Sequence, residues 1–164
     1  MYDALVSNPR GDGLPDDVRE SLRAADSGAR VGEAILIATT DGAGRPHPAM
    51  LSYGEVRAID AWTLRLLTYA SSATASNLRL RGAVTLCLVG PGSAVYVKAR
   101  AREIAPVASH PALARFEAHI EDVRRDQARA DLEGGTEILS GITFAVADPG
   151  GKASEWAALQ EALA

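Results

Sequence analysis

The feature that most restricts what this chain can fold into is the stretch Ala34–Arg102, where runs of Leu, Ile, Val and Thr alternate with glycine-bearing turns. Such residues suit a pleated, half-buried surface, and short turns oblige successive runs to pair antiparallel. Ala34–Thr40, Arg45–Tyr53, Leu64–Thr68, Ala83–Val89 and Ala94–Glu103 read as strands, punctuated by Asp41-Gly42-Ala43-Gly44, Asp60-Ala61 and Gly90-Pro91-Gly92. Pro46 and Pro48 each remove a ladder donor, which confines the start of the second run to an edge or a bulge. After the third run, Ser71, Ser72, Thr74 and Asn77 mark a short polar helix. A helix N-terminus leaves backbone N–H groups free and carries partial positive charge, so it can hold an anion such as a phosphate. Ordinary capping is the alternative for the same residues, because Ser, Thr and Asn are favoured at helix starts whatever the function.

The flanks read differently. Residues 1–14, with Pro9, Gly11 and Gly13, suggest a flexible arm. Pro15-Asp16-Asp17 opens a helix over 15–28, with Val18, Leu22 and Ala25 on one face and Gly28 as its stop. Leu113, Phe116, Ile120 and Val123 recur at spacings of three and four, which predicts an amphipathic helix over 111–133. Ile138–Ala147 reads as a last strand, and Trp156, Leu159 and Leu163 stripe a helix over 153–163.

At 164 residues the chain reads as one domain, and 47% hydrophobic residues suit a globular one. A net charge of −4 speaks against nucleic acid as a partner, although Arg79, Arg81, Lys98, Arg100 and Arg102 lie near the organising stretch. No apolar run is long enough for a bilayer span and no signal peptide is visible, so no membrane association is expected. The single cysteine, Cys87, permits no internal disulfide, which fits a cytoplasmic protein. None of the three histidines, His47, His110 and His119, has ligand-spaced partners, and no metal site is expected. Neither a nucleophile elbow nor a Walker loop nor a dinucleotide glycine fingerprint is present. With no self-sufficient side-chain catalyst, any reaction would be carried by a cofactor.

The order of strand, Asp41-Gly42-Ala43-Gly44-Arg45-Pro46-His47-Pro48, two strands, Ser72-Ala73-Thr74-Ala75-Ser76-Asn77-Leu78 and strand resembles the FMN-binding split barrel of the pyridoxamine 5′-phosphate oxidase-like superfamily, over residues 30–147. The resemblance implies a mainly β (α+β) chain. Its core would be a six-stranded antiparallel split β-barrel, here with a long inserted helix and terminal helices. It implies a homodimer with FMN in clefts between the subunits, acting as an oxidoreductase by hydride transfer to a small molecule. The ring would lie along the second strand at His47, Ala49, Met50, Leu51 and Ser52, near Leu67 and Thr68 of the third. The phosphate would sit at Ser71, Ser72, Ala73 and Thr74, with Asn77 on the same helix.

The sequence departs from the oxidase itself, which places an Arg and a Lys on the second strand and an Arg-Lys pair in the turn. Here those positions hold His47, Ser52, Ala73 and Thr74. Each charge-assisted bond is worth about 1.5–3 kcal/mol, whereas hydroxyls, free amides and the dipole together supply about 2–4 kcal/mol. A cation could also arrive from Arg79, Arg81, Lys98 or a second subunit. The oxidase activity proper is not expected. Two alternatives stay open: a barrel without flavin serving as a binding or structural module, and the same scaffold holding haem, with His47 as ligand, or a deazaflavin.

Overall fold

The computed structural model describes residues 6–7, 13–23, 28–128 and 134–164, with only the backbone of Val6 and Ser7. Among these residues nine strands run in chain order: β1 (Val6–Ser7), β2 (Glu33–Thr40), β3 (Pro46–Ser52), β4 (Val56–Ala58), β5 (Thr63–Tyr69), β6 (Ala83–Gly90), β7 (Ser93–Ile104), β8 (Leu113–Asp126) and β9 (Ile142–Thr143). Three α-helices accompany them: α1 (Asp16–Ser21), α2 (Ala73–Arg81) and α3 (Pro149–Ala162). Seven strands form one antiparallel path in the order β3-β2-β6-β7-β8-β5-β4, while β1 pairs with β8 and β9 with β2.

That order forces the sheet to curl. β3 and β4 stand at opposite ends of the path, yet only the 3-10 turn Tyr53–Glu55 joins them. A flat sheet would hold those ends about 29 Å apart, at about 4.8 Å per strand, and so short a link reaches about 15 Å. The ends therefore face each other across a seam, and the sheet is an open, curled barrel. Its inward rows, including Ile35, Ile37, Leu64, Leu66, Leu86, Val97, Phe116 and Ile120, form one buried cluster.

The antiparallel barrel and its α+β character agree with the sequence, but the strand count is seven along the path, not six. The largest correction concerns 111–133. The residues that suggested a helix form β8, a strand paired to both β5 and β7. Ala114, Phe116, Ala118 and Ile120 alternate inward, and then the register shifts: Ala99 faces Ile120 and Lys98 faces Asp122, leaving Glu121 as the extra residue of a bulge. The bulge moves the inward phase to Val123, opposite Val97. The spacing of four between Phe116 and Ile120 is thus two strand periods, and the spacing of three between Ile120 and Val123 comes from one inserted residue.

Smaller differences have local causes. β4, three residues long, is too brief to show a period. The expected last strand shrinks to β9, because β2 is free to pair on that side only at Glu33 and Ala34, before β6 takes over from Leu36. α1 ends at Ser21, and residues 24–27 of the expected helix, Ala25 among them, lie outside the described residues, as does most of the expected arm 1–14. Leu14, at the end of that arm, is buried and its N–H donates to the Ala61 carbonyl.

α3 begins four residues before the expected start, with Asp148 as its cap and Pro149 in its first turn. It closes the seam. Trp156 packs against Gly54 so closely that a Cβ there would lie 2.5 Å from the indole Cγ. Gln160, fully buried, donates from Nε2 to the carbonyls of Tyr53 (2.8 Å) and Val56 (2.7 Å) and more weakly to Gly54 (3.4 Å). Arg57, Arg65 and Arg115 donate to the last carbonyls of the chain, at Gln160, Ala162, Leu163 and Ala164, where a helix C-terminus attracts cations.

Candidate functional site

The candidate site divides between the outer edge of β3 and the tip of α2. The Asp41–Arg45 turn is hydrogen-bonded within itself: Asp41 accepts the N–H groups of Ala43 and Arg45 and the Arg45 Nε, and these bonds hold its carboxyl below the usual range. Beyond it, β3 pairs among the described residues with β2 alone, Thr39 facing His47, Ala38 facing Pro48 and Leu36 facing Met50.

Successive residues of an antiparallel strand aim their N–H and C=O groups alternately toward and away from the partner. The Ser52 N–H goes to Glu55 Oε2 at 2.7 Å, so it points away from β2, and Met50, Pro48 and Pro46 share its phase. The two prolines therefore fall where β2 loses no donor. Among the described residues of β3, this leaves the Met50 N–H as the one uncommitted outward donor. The side chains separate likewise: Met50 is 63% exposed, Leu51 is buried, and His47 and Ala49 are half-buried.

The second half begins where β5 ends. Leu67 is fully buried, and the buried Thr68 hydroxyl donates to the Tyr69 carbonyl. A turn closed by Ser72 N–H on the Tyr69 carbonyl leads into α2. Ser72 is the N-cap, its Oγ accepting the Ala75 N–H at 3.1 Å. Ser71 and Ala73 are exposed, whereas Thr74 is buried. Helix geometry gives the Ala73 and Thr74 N–H groups no intrahelical partner. Asn77 turns inward to Thr39 at 3.0 Å and is 8% exposed, so its side chain faces the barrel and not the tip. α2 ends at Gly82, whose φ of 68° suits a left-handed cap.

The structure also shows what the nearby cations do. Arg79 grips Glu103 with two bonds of 2.7 and 2.8 Å and donates to the Ala70 carbonyl beside the tip turn. The guanidinium holds the Glu103 carboxyl below its ordinary range. Arg81 ties the far end of α2 to the carbonyls of Asp41 and Gly42. Lys98, Arg100 and Arg102 share the outer face of β7, opposite Asp122, Glu121 and Glu117 on β8. A cavity of about 850 Å³ at the C-terminal end of α2 is lined by several of these ion pairs. Thr39 and Glu103 were not anticipated, and Arg79, a candidate cation for the phosphate, is paired to Glu103: an inward Thr reads as ordinary strand, and 24 residues separate the partners of the ion pair.

No cluster of three metal-ligating side chains occurs among the described residues. Burial pushes the Cys87 thiol up, as for a packing residue. No helix among the described residues is long and apolar enough to cross a membrane.

No protein-family model matches the chain. The uncharacterized protein YclD of Bacillus subtilis is 31% identical over 108 residues, covering 65% of this chain and 70% of YclD. Among solved structures, HupZ of group A Streptococcus superposes with a TM-score of 0.52 at 14% identity, covering 80% of this chain and all of HupZ. A putative pyridoxamine 5′-phosphate oxidase from Lactobacillus delbrueckii superposes with a TM-score of 0.51 at 18% identity, over 68% of this chain and 93% of the other. Another from Listeria innocua also reaches 0.51, at 12% identity, over 69% and 98%. At such identities these structures speak to the fold, and that fold is the split barrel whose order and seam are described above. The chain therefore belongs to one family with YclD, and its fold is the split barrel shared with those putative pyridoxamine 5′-phosphate oxidases and HupZ.

Proposed function

We propose that this protein binds FMN and acts as an oxidoreductase on a small molecule, the ring lying along the outer edge of β3 and the phosphate at the tip of α2. One observation carries the reading: a nine-residue helix starts directly after β5, with two first-turn amides unclaimed by the helix and the Ser71 hydroxyl exposed beside them. Such a tip attracts an anion without a fixed cation. The residues fit the group with fewer contacts than the family resemblance implies. Ser72 spends its hydroxyl on Ala75, Ser52 spends its amide on Glu55, and Asn77 is turned to Thr39.

When bound, FMN supplies hydride transfer at its N5. The chain's own part is to bind and orient: the Met50 N–H is available to a ring acceptor, and the Ala73 and Thr74 amides to the phosphate. Met50, Leu36, Cys87 and Tyr96 stand in one row across the outer face of β3, β2, β6 and β7. A homodimer burying this row would complete the cleft, in a reducing cytoplasm that keeps Cys87 a thiol.

The absorption spectrum of the purified protein tests the reading. Flavin bands that pass into solution on denaturation, and a melting temperature that rises with added FMN, are the expected result. A colourless protein whose melting temperature ignores FMN refutes it. That outcome would favour a cofactor-free module, the reading that the Ser72 self-cap supports. A haem reading rests on the half-buried His47 alone and would show as a Soret band lost in His47→Ala.

A further inference from the structure

Asn77 breaks a local rule. Asn is a poor helix former, yet it stands in the fifth position of α2. Burying its amide is unfavourable unless a partner is supplied. The partner is Thr39, 3% exposed, which interrupts an inward row otherwise formed by Ile35 and Ile37. The Thr39 hydroxyl accepts from Asn77 Nδ2 at 3.0 Å and lies 3.5 Å from the carbonyl of His47, its ladder partner on β3. Two polar side chains are thus buried in otherwise apolar positions, each matched to the other. They run from α2 to β3, the two elements between which the flavin site is divided.

We propose that Asn77 and Thr39 are positioning residues that fix the tip of α2 relative to β3, an inference that rests on the flavin reading above. A ligand held at two points gains from both only when their separation is already set. Riboflavin, which has the ring and no phosphate, needs β3 alone. FMN needs both elements at the right spacing. Loosening the relay should therefore cost FMN affinity and leave riboflavin affinity as it was.

The experiment is flavin-fluorescence titration of wild type, Thr39→Val, Thr39→Ser and Asn77→Ala with FMN and with riboflavin. Thr39→Val keeps the shape and removes the hydroxyl. It should weaken FMN about tenfold, the scale of one buried hydrogen bond, without moving riboflavin. Thr39→Ser should restore the preference. Asn77→Ala breaks the same bond while improving helix propensity, so it serves if Thr39→Val fails to fold, and the same selective loss is expected. An unchanged FMN-to-riboflavin ratio in these variants, or an equal loss of both ligands, overturns the relay while wild-type FMN binding keeps the flavin reading standing. A wild-type protein that binds neither flavin overturns both.

Discussion

Replacing Gln160 by Leu would test how the barrel is held shut. The Gln160 amide is buried under α3 and serves the Tyr53, Gly54 and Val56 carbonyls, which lie where the sheet path ends and ladder partners run out. Leu keeps much of the volume and removes both donor hydrogens. Two well-made bonds are lost, at 2.8 and 2.7 Å, and each carbonyl left buried and unpaired costs about 1–3 kcal/mol. Part of this returns, because the Gln160 Oε1 is itself buried without a partner and Leu relieves it. The net loss should be roughly 2–3 kcal/mol. At about 2–4 °C per kcal/mol for a chain of this size, the midpoint should fall by about 5–10 °C. Differential scanning fluorimetry with a urea series would read both quantities. A midpoint within about 1 °C of wild type, at unchanged urea slope, would refute the idea that this amide closes the seam.

Three further outcomes follow from the same structure. Glu103→Gln should release Arg79 beside the tip turn and raise FMN affinity several-fold with riboflavin unmoved, and unchanged affinity would remove Arg79 from the phosphate's surroundings. Asp17 is held below its ordinary pKa chiefly by the hydrogen bond from Arg125, so its contribution exists above the unfolded carboxylate pKa and fades as pH falls through the lower folded value. Asp17→Asn should therefore melt slightly below wild type at pH 7 and level with it near pH 2. A gap that widened on acidification would contradict that sign. Met50→Asp places a charge on the exposed face of β3 and should give a monomer by light scattering that no longer retains FMN, whereas an intact dimer would move the subunit contact elsewhere.

How much of this was legible depends on the range of the signal. The five runs of the organising stretch could be read because turn residues and β-branched content act locally. The prolines of β3 correctly pointed to an edge, since a missing donor has few places to go. β8 misled because its bulge at Glu121 sets the inward Ile120 and Val123 three apart, a helical spacing on a strand. Phe116 and Ile120, four apart, suit either element, and the alanines between them favour neither. β4 offered too few residues to show a pattern. The Ser72 cap was readable from residue type alone, but the inward turn of Asn77 depended on Thr39, 38 residues away. The stripe of α3 was visible too, while the role of Gln160 emerged only once the seam placed bare carbonyls beneath it.

Flavin binding by this chain depends most on whether amides and dipole at the α2 tip can hold a phosphate without a fixed cation. Comparing the dissociation constants of wild-type protein for FMN and for riboflavin measures that directly. FMN should bind more tightly by about tenfold or more, the worth of one or two hydrogen bonds to an anion. Equal affinity for the two flavins would mean that the tip holds nothing.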